Sequence, residues 1–321
     1  MLHTRVDNSV TVKPRIADSR VAVLLGTCNG AEFLGEQLQS IERQSGMCWE
    51  LVASDDGSQD GTLDCLSAFR RRAGEGRVGI TTGPGRGYVA NFLSLVHRPT
   101  KADYFAFADQ DDVWDADKLQ RAVFALSAVP PDRPALYCSR TRLINEQGRP
   151  VGYSPACARP PGFANALIQN IAGGNTMVFN RAARELLVAF GDVDVVSHDW
   201  WVYLVISACG GEIIYDLEPS LDYRQHRGNQ IGSSQHLSDR WNRLLLGLRG
   251  RKREWNDQHI AALNQMSTLL TDDSRRVLSE FCYARNAGLW GRLTGMRRAG
   301  VYAQSVAGTI GLFVATILNI L

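Results

Sequence analysis

Residues 21–30 read VAVLLGTCNG, an apolar run that continues until it stops at Asn29 and Gly30. A run of this kind is typical of a strand buried on both faces of a parallel sheet. Apolar residues then recur at the spacing of a helix, at Leu34, Leu38 and Ile41. A second strand-like run, WELVAS, follows at residues 49–54. The stretch therefore predicts a strand, a helix and a second strand, with which an α/β fold begins.

The same alternation continues through the first third of the chain. It predicts a helix at residues 60–72, a strand at 77–82, a helix around Phe92, Leu93 and Val96, and the strand YFAFAD at 104–109. Strands that alternate with helices predict a mostly parallel sheet flanked by helices. Such sheets bind ligands at the carboxyl ends of their strands. Two acidic clusters, at residues 54–57 and 109–112, fall at such ends.

Beyond Pro134 the pattern is less regular. Strands are predicted in PALYCSR, TMVFN and GEIIYD, at residues 134–140, 176–180 and 211–216, and a helix from Asp199 to Cys209. The first residues lack the apolar segment of a secretory signal. We divide the chain into a flexible tail (1–19), an α/β domain (20–232) and a helical C-terminal region (233–321).

The composition excludes several classes of protein. Of 321 residues, 45% are hydrophobic and 21% are charged, which excludes a disordered or collagen-like chain. A net charge of +2 gives no electrostatic reason to expect nucleic acid as the main partner. The seven cysteines are odd in number and never form a CxxC pair, so we expect reduced thiols in a cytoplasm rather than disulfides or a zinc site.

The cluster at residues 109–112 reads DQDD. Carboxylates two residues apart at a strand end can point into one cleft, and a hard divalent cation prefers several such oxygens. Mg²⁺ or Mn²⁺ held in this way can stabilise a diphosphate leaving group. Asp109, Asp111 and Asp112 are therefore candidate metal-site residues. The alternative is an acidic turn that caps a helix beginning near Asp115.

The second cluster, Asp55-Asp56-Gly57-Ser58, lies between a strand and a helix. An aspartate in that place can accept hydrogen bonds from the imide of uracil or thymine, or from a ribose. Taken alone, the cluster is equally typical of a helix N-terminus with capping acids and a turn glycine.

Segments between residues 20 and 232 carry a more specific signal. In order, they are VAVLLGTCNGAEFLGEQLQSI, ASDDGSQDGT, FAFADQDDVWDADKL, AGGNTMVFNRAA, HDWWVYLVISACGGEIIYD and LDYRQHRGNQIG. Together they resemble inverting glycosyltransferase family 2, and most closely its rhamnosyltransferase-like branch, whose hallmark is a DQDDVW-type metal motif. The resemblance implies the GT-A fold, a Rossmann-like α/β sheet flanked by helices, here followed by a helical C-terminal appendage.

The resemblance also implies roles for individual residues. Those that would bind the nucleotide sugar are Thr27, Asn29, Asp55, Asp56, Arg86, Asn91, Asp109 and Gln110. Those that would hold the metal are Asp109, Asp111 and His226. Those that would line the acceptor side are Asp112, Gly174, Asn175, Thr176, His198 and Trp200. Ala90 stands before Asn91 where the family often has a basic residue, and Arg86 is close enough in sequence to replace that diphosphate contact.

Asp199 would be the general base. Such a base must be ionised near neutral pH within a partly closed site, which suits an aspartate beside aromatic residues. The position alone also fits a helix N-cap acid, and His198 fits an orienting neighbour. His226 fits either a ligand, in which case Mn²⁺ joins Mg²⁺ as a candidate, or a loop histidine. At most one of Trp200 and Trp201 is expected to line the site, because adjacent helical positions point about 100° apart.

The expected function is metal-dependent transfer of a sugar, with inversion, from a nucleotide diphosphate donor to a hydroxyl of a cell-surface glycan or lipid-linked oligosaccharide. The branch favours dTDP-L-rhamnose as donor, with a UDP-hexose as alternative. A sugar-nucleotide pyrophosphorylase and an inactive nucleotide-sugar-binding module are alternatives from other classes. The pyrophosphorylase would need a basic glycine-rich loop after the first strand, where Gly26-Thr27-Cys28-Asn29-Gly30 stands instead.

The C-terminal region raises the possibility of a membrane partner. Residues 240–253 combine six Lys and Arg side chains with Trp241, Leu244, Leu245 and Leu248, as expected of a basic helix on an anionic bilayer or of a solvated helix packed on the domain. Residues 301–321 carry no charge, but polar residues and glycines favour interfacial or partner packing over spanning. We therefore expect a cytoplasmic protein on the inner face of the cell membrane.

Overall fold

We describe a computed structural model of the chain, which covers residues 18–226 and 251–321. Most of the predicted tail, the boundary after residue 232 and the basic stretch at 240–250 lie outside these described residues. The strands are β1 (Arg20–Thr27), β2 (Cys48–Asp55), β3 (Val78–Thr82), β4 (Tyr104–Ala108), β5 (Val113–Trp114), β6 (Ala135–Ser139), β7 (Arg142–Asn145), β8 (Pro150–Tyr153), β9 (Val178–Asn180), β10 (Glu212–Asp216) and β11 (Leu221–Gln225).

Helices flank and follow these strands. They are α1 (Ala31–Glu42), α2 (Thr62–Ala73), α3 (Tyr88–Val96), α4 (Lys118–Leu126), α5 (Phe163–Ala166), α6 (Arg181–Ala189), α7 (His198–Ala208), α8 (Arg251–Gln265), α9 (Asp272–Asn286), α10 (Leu289–Ala299) and α11 (Val306–Leu318). The strands and helices predicted from residue 21 to residue 109 are confirmed within a few residues at their ends.

The main sheet has the strand order β10-β6-β9-β4-β1-β2-β3 among the described residues. Its neighbours are parallel except at β9, which pairs antiparallel with both β4 and β6. The predicted mostly parallel α/β sheet is therefore confirmed. The parallel arrangement brings the ends of β4, β1 and β2 to the same edge, where ligands bind in such sheets.

A second, small sheet was not predicted from the sequence. It has the order β5-β11-β7-β8, and within it Arg142 of β7 forms ion pairs with Asp222 of β11 at 2.6 Å and with Asp115, directly after β5, at 3.0 Å. Its strands have two to five residues and several charged side chains, too short and too polar for a recognisable alternation. The sheet positions β11, which ends beside the DQDD cluster.

The two faces of the main sheet bury different sets of apolar side chains. Along β1, Val21, Val23 and Leu25 face one core, whereas Ala22 and Leu24 face the other. The core that contains Ala22 and Leu24 continues through α7 into the C-terminal helices, where it includes Leu263 and Phe281 among the fully buried residues. The C-terminal helices therefore share a hydrophobic core with the sheet rather than standing apart from it.

Candidate active site

Three strands end together at one edge of the main sheet. β4, β1 and β2 are parallel neighbours, and their register places Thr27 opposite Asp55. Asp109 directly follows β4. Both acidic clusters therefore lie at the same edge, as the strand pattern predicts.

Asp55 is buried and bonded to its own surroundings. Its Oδ1 accepts hydrogen bonds from the hydroxyls of Thr27, at 2.9 Å, and Ser58, at 2.6 Å. Its Oδ2 accepts one from the backbone N–H of Ser58 at 2.9 Å. Each carboxylate oxygen can accept two hydrogen bonds, so Oδ2 retains capacity for a further donor. Thr27 is predicted from the sequence to bind the nucleotide sugar, but in the structure its hydroxyl holds the carboxylate of Asp55 in place.

Asp56 holds a glycine-rich loop. Its Oδ1 accepts a hydrogen bond from the N–H of Gly85 at 2.6 Å, and its Oδ2 one from the N–H of Gly87 at 2.8 Å. The predicted nucleoside contact of Asp56 thus competes with two backbone amides. The loop so held carries Arg86, whose guanidinium lies 3.1 Å from the carboxylate of Asp192 at an exposed position.

Gln110 ties the DQDD cluster to the loop after β1. Its Oε1 accepts from the backbone N–H of Cys28 at 2.8 Å, and its Nε2 donates to the carbonyl of Cys28 at 3.0 Å. A Cβ on Gly30 would collide with this amide, so glycine is needed where the two segments approach. Asn29, at a φ of 48°, accepts a hydrogen bond from Gln59 at 2.8 Å. The loop is therefore fixed from two sides.

Asn91 lies inside the protein rather than on the site surface. Its Nδ2 donates to the carbonyl of Ser54 at 2.9 Å, and its Oδ1 accepts from the hydroxyl of the same residue at 2.6 Å. These bonds join α3 to the end of β2. The side chain is 2% exposed, so a direct contact with a nucleotide sugar would require both bonds to open.

Carboxylates crowd the end of β4. Burial raises the pKa of Asp109 to about 8, and repulsion from Asp111 and Asp199 adds to the increase. Burial together with the charges of Asp199 and Asp109 also raises the pKa of the Tyr88 hydroxyl, at the start of α3. The charges of Asp111 and Asp199 therefore act on Asp109 across a single electronegative space. Tyr88 borders that space and was not identified from the sequence.

Asp112 lies below this space. Its Oδ2 accepts a hydrogen bond from Nδ2 of Asn175 at 2.6 Å, and its Oδ1 has no hydrogen-bond partner in the described part of the chain. Burial, with the charges of Asp111 and Asp109, raises its pKa well above the usual range. Lys118 is the nearby positive charge. Burial lowers the pKa of its amine to about 7, and its Nζ lies 4.1 Å from the ring centroid of Trp114.

His226 lies against the DQDD cluster. Its Nε2 is 2.6 Å from Oδ2 of Asp111, and its ring centroid is 5.1 Å from that of Phe33. Two residues earlier, Arg224 is 2% exposed and donates to the carbonyl of Asp111 at 3.1 Å, while forming an ion pair with Glu36 at 2.6 Å. Arg224 therefore fastens β11 to the cluster. Arg224 was not identified from the sequence. Its spacing from His226 could have indicated it, because residues two apart in a strand share a face.

Asp199 lies in the first turn of α7, and the N-cap is Ser197. Its carboxylate is 8% exposed, and Oδ1 accepts from the backbone N–H of Trp200 at 2.7 Å. His198 is stacked on Phe92 with 4.1 Å between ring centroids, and both of its ring nitrogens lack hydrogen-bond partners among the described residues. Burial lowers the pKa of His198 to about 4, so its ring is neutral at pH 7.

The predicted acceptor-side residues surround His198 and Asp112. A Cβ on Gly174 would collide with the His198 ring, so glycine lets this turn approach α7. Asn175 bonds to Asp112 as described, and the Thr176 hydroxyl donates to the carbonyl of Gly173 at 2.8 Å. All three residues are buried, so they act as the supporting layer of the site rather than its exposed wall.

Trp200 faces the C-terminal helices. Its Nε1 donates to the carbonyl of Ala166 at 2.7 Å, and its ring centroid lies 4.7 Å from that of His259 and 6.2 Å from that of Trp255, both on α8. Trp201 is 1% exposed and packs edge-on against Phe190. Both indoles are thus used in packing.

The residues present suit a metal ion that binds together with a diphosphate. Within residues 18–226 and 251–321, no three His, Cys, Asp or Glu side chains converge closely enough to hold a metal by themselves. Asp111 and His226 are adjacent, with the carboxylate of Asp109 acting on Asp111 from nearby. Mg²⁺ is commonly bound through one or two carboxylates plus substrate phosphates, and an added imidazole suits Mn²⁺. The excess of buried negative charge is the observation that favours a cation here.

Known proteins have amino-acid sequences similar to that of this chain. Residues 22–156 match the family model described as Glycosyl transferase family 2. The dTDP-rhamnosyl transferase RfbG of Shigella flexneri is 26% identical over 263 residues, which cover 78% of this chain and 86% of that protein. The similarity therefore extends well beyond the residues that the family model matches.

Solved structures share the fold. The mannosyltransferase PcManGT from Pyrobaculum calidifontis, in complex with GDP-Man and Mn²⁺, is 19% identical, with 95% of this chain and 82% of that chain covered and a TM-score of 0.53. Residues 1–349 of TarS from S. aureus, in complex with UDP-GlcNAc, are 13% identical, with 88% and 89% covered and a TM-score of 0.52. At these identities the comparison shows the fold alone, and it confirms the predicted architecture.

Proposed function

We propose that the chain, which has the GT-A fold, is a member of glycosyltransferase family 2 that transfers L-rhamnose from dTDP-L-rhamnose to a hydroxyl of a cell-surface glycan. It is a glycosyltransferase that uses a nucleotide sugar. The proposed donor is supported by the similarity to RfbG, a dTDP-rhamnosyl transferase, over most of both chains. The proposed acceptor is a growing glycan carried on a lipid.

The observation that carries the proposed mechanism is the repulsion that the charges of Asp111 and Asp199 exert on the buried carboxyl of Asp109, whose pKa burial and these charges raise to about 8. A bound cation would offset that repulsion and allow Asp109 to be ionised at neutral pH. We propose that Asp111 and His226, with Asp109 in support, would hold Mg²⁺ or Mn²⁺. When bound, that ion would neutralise the diphosphate that leaves the sugar.

Asp199 is the proposed general base. As the acceptor oxygen forms a bond to the anomeric carbon, the bond from that carbon to the diphosphate breaks on the opposite face, which inverts the configuration. The hydroxyl proton passes to the carboxylate of Asp199. Its Oδ1 is held by the N–H of Trp200, which fixes the orientation of the carboxylate at the start of α7. The neutral ring of His198 packs behind it as an orienting group.

The loop after β1 and the loop at residues 83–87 would form the donor side. In this proposal Asp55 accepts a hydrogen bond from the base imide through Oδ2. In this proposal Asp56 and Gln110 do not contact the donor themselves, because their polar atoms already bond to the backbone of these loops and hold them in position. Arg86 is exposed on the loop that Asp56 holds, where it can turn from Asp192 toward a phosphate.

Donor turnover tests the proposal directly. The purified protein is incubated with Mn²⁺ and separately with dTDP-rhamnose, UDP-glucose and GDP-mannose, and release of the nucleoside diphosphate is measured with and without a lipid-linked glycan acceptor. We expect release from dTDP-rhamnose, and faster release when the acceptor is present. Faster turnover of UDP-glucose would make the rhamnose donor wrong and leave the family assignment intact.

A further inference from the structure

The outward face of α11 is apolar. Its large exposed side chains are Val306, Ile310, Phe313, Val314, Ile317 and Leu318. At 100° per residue, these positions fall within an arc of about 140° on one side of the helix. The residues of α11 that are buried against the protein are Ala315 and Thr316. The helix thus turns small side chains inward and large apolar ones outward, the reverse of an ordinary surface helix.

This exposure is large for a protein surface. Val306 is 80% exposed, Ile310 61% and Phe313 57%. Single exposed apolar residues are common, but a contiguous stripe marks a surface that contacts another molecule or a membrane. On the neighbouring helix α10, Trp290 is 79% exposed, and tryptophan is the residue most enriched where protein meets a bilayer interface.

The charges of the same two helices have one sign. From residue 289 to residue 321 the charged side chains are Arg292, Arg297 and Arg298, and there is no Asp or Glu. Arg297 is exposed, and Arg298 pairs with Glu280 of α9. An apolar helix face on a pair of helices whose net charge is positive complements a surface that is apolar inside and anionic outside.

The length of α11 limits how it can meet a bilayer. Thirteen residues extend about 20 Å, whereas the hydrocarbon core is about 30 Å thick. In the described part of the chain, no helix has the length and apolarity that crossing a membrane requires. The helix can therefore lie in the interface but does not match a span.

We propose that the outward face of α11 docks on a membrane surface that contains anionic lipid, with the helix in the plane of the interface. A second copy of the chain is a less suitable partner for the outward face of α11. In a twofold contact the same patch meets itself, so two pairs of helices of net positive charge would come together, with no Asp or Glu in residues 289–321 to offset that charge. The proposed docking face includes no residue of the basic stretch at 240–250, which lies outside the described residues.

Vesicle flotation tests the proposal. The full chain is mixed with phosphatidylcholine vesicles or with vesicles that also contain phosphatidylglycerol, and the bound fraction is measured. The test variant carries Ile310→Glu and Phe313→Glu, and the matched control carries Phe124→Glu on α4, where the wild-type ring is 68% exposed. We expect at least about a tenfold loss of binding for the test variant, since two large apolar groups no longer insert, and no loss for the control. Arg297→Gln should weaken binding to the anionic vesicles by about fivefold.

Other results would overturn the proposal. Equal flotation of wild type and the double variant would show that α11 is not the docking face. A concentration-dependent dimer in light scattering, abolished by the double variant, would identify a second copy as the occupant. Because binding requires no turnover, Asp199→Asn should float like wild type, so failure of the proposed reaction and failure of docking are separable. The exposed positions chosen should leave the thermal midpoint within a few degrees of wild type.

Discussion

The imidazole of His259 lies edge-on to the indole of Trp200, with 4.7 Å between the ring centroids. Trp200 directly follows Asp199 in α7, whereas His259 belongs to α8 in the C-terminal region. The helix that carries the proposed base is therefore packed against the C-terminal helices. Their apolar side chains are part of the same core as one face of the sheet.

Removal of the C-terminal helices should therefore prevent folding of the site. A chain ending at residue 232 would expose the core face formed by Trp200, Trp201 and their neighbours, which α8 and α9 cover. We expect an insoluble product or one without a cooperative thermal transition. A truncated chain that is soluble, cooperative and active would show that the shared core is dispensable.

Asp111→Asn should abolish turnover and metal-dependent binding of the donor. The substitution is nearly isosteric but removes one charge from the carboxylate that lies 2.6 Å from His226. Activity is measured as diphosphate release at limiting Mn²⁺, with binding followed by calorimetry. The exposed Asp132→Asn serves as control and should behave like wild type. Full activity of Asp111→Asn at limiting metal would exclude the proposed metal site.

Asp199→Asn should separate catalysis from binding. Loss of a general base typically reduces a rate by about a hundredfold or more, while the donor side of the site is untouched. We expect donor affinity close to wild type and a turnover number lower by that factor. If single-turnover rates with saturating acceptor are near those of wild type, another group must remove the acceptor proton.

The metal should bind far more tightly when a nucleoside diphosphate is present. In the described part of the chain no three ligand side chains converge, and sites with one or two carboxylates commonly bind the ion together with substrate phosphates. Calorimetric titration with Mn²⁺ alone is expected to give weak or undetectable binding, and titration in the presence of dTDP a clear transition. Equally tight binding in both experiments would indicate a metal site formed by protein residues alone.

The donor base should be a pyrimidine. If Asp55 accepts a hydrogen bond from a base imide, dTDP and UDP should bind in the presence of Mn²⁺ and GDP should bind more weakly than both. Asp55→Ala is expected to weaken all of them, because it also removes the support for Thr27 and Ser58. Calorimetry that ranks GDP first would contradict the assigned role.

Acid should destabilise the fold through two buried histidines. Burial lowers the pKa of His198 and of His259 from 6.5 to about 4. The unfolded chain therefore binds more protons than the folded one between pH 6.5 and 4, and stability falls as pH falls through that window. Each histidine accounts for on the order of 3 kcal/mol of the free energy of unfolding across that pH window. The drop in thermal midpoint from pH 7 to pH 5 should shrink in His198→Asn and in His259→Asn, and an unchanged drop would exclude these groups as its cause.

The parts of the site that could be predicted are those where a strand and its motif are contiguous in the sequence. The apolar run before Asp109 predicts both the strand and the location of its acidic end. The supporting contacts could not be predicted in this way, because they join distant segments. Arg224 donates to the carbonyl of Asp111, 113 positions away, across a small sheet whose strands are too short to recognise.

Hydrogen bonds within the protein engage several polar residues that the sequence assigns to the donor. The sequence predicts that Asp56, Asn91 and Gln110 contact the donor, because their types and places match the motifs. In the structure their polar atoms bond to Gly85 and Gly87, to Ser54, and to Cys28, respectively. A motif alone does not distinguish a residue that touches a ligand from one that positions the loop that does.

The paired bonds between Gln110 and Cys28 limit how this enzyme can be re-engineered. The loop after β1 and the DQDD cluster come from segments 82 positions apart, yet the Gln110 amide joins them and leaves no room for a side chain on Gly30. Because both bonds are made to backbone atoms of Cys28, an imported loop would keep them with another residue at position 28 if its backbone followed the same course, whereas a side chain at position 30 would displace the Gln110 amide. Exchange of the loop after β1 is therefore limited by Gly30 and not by the identity of Cys28.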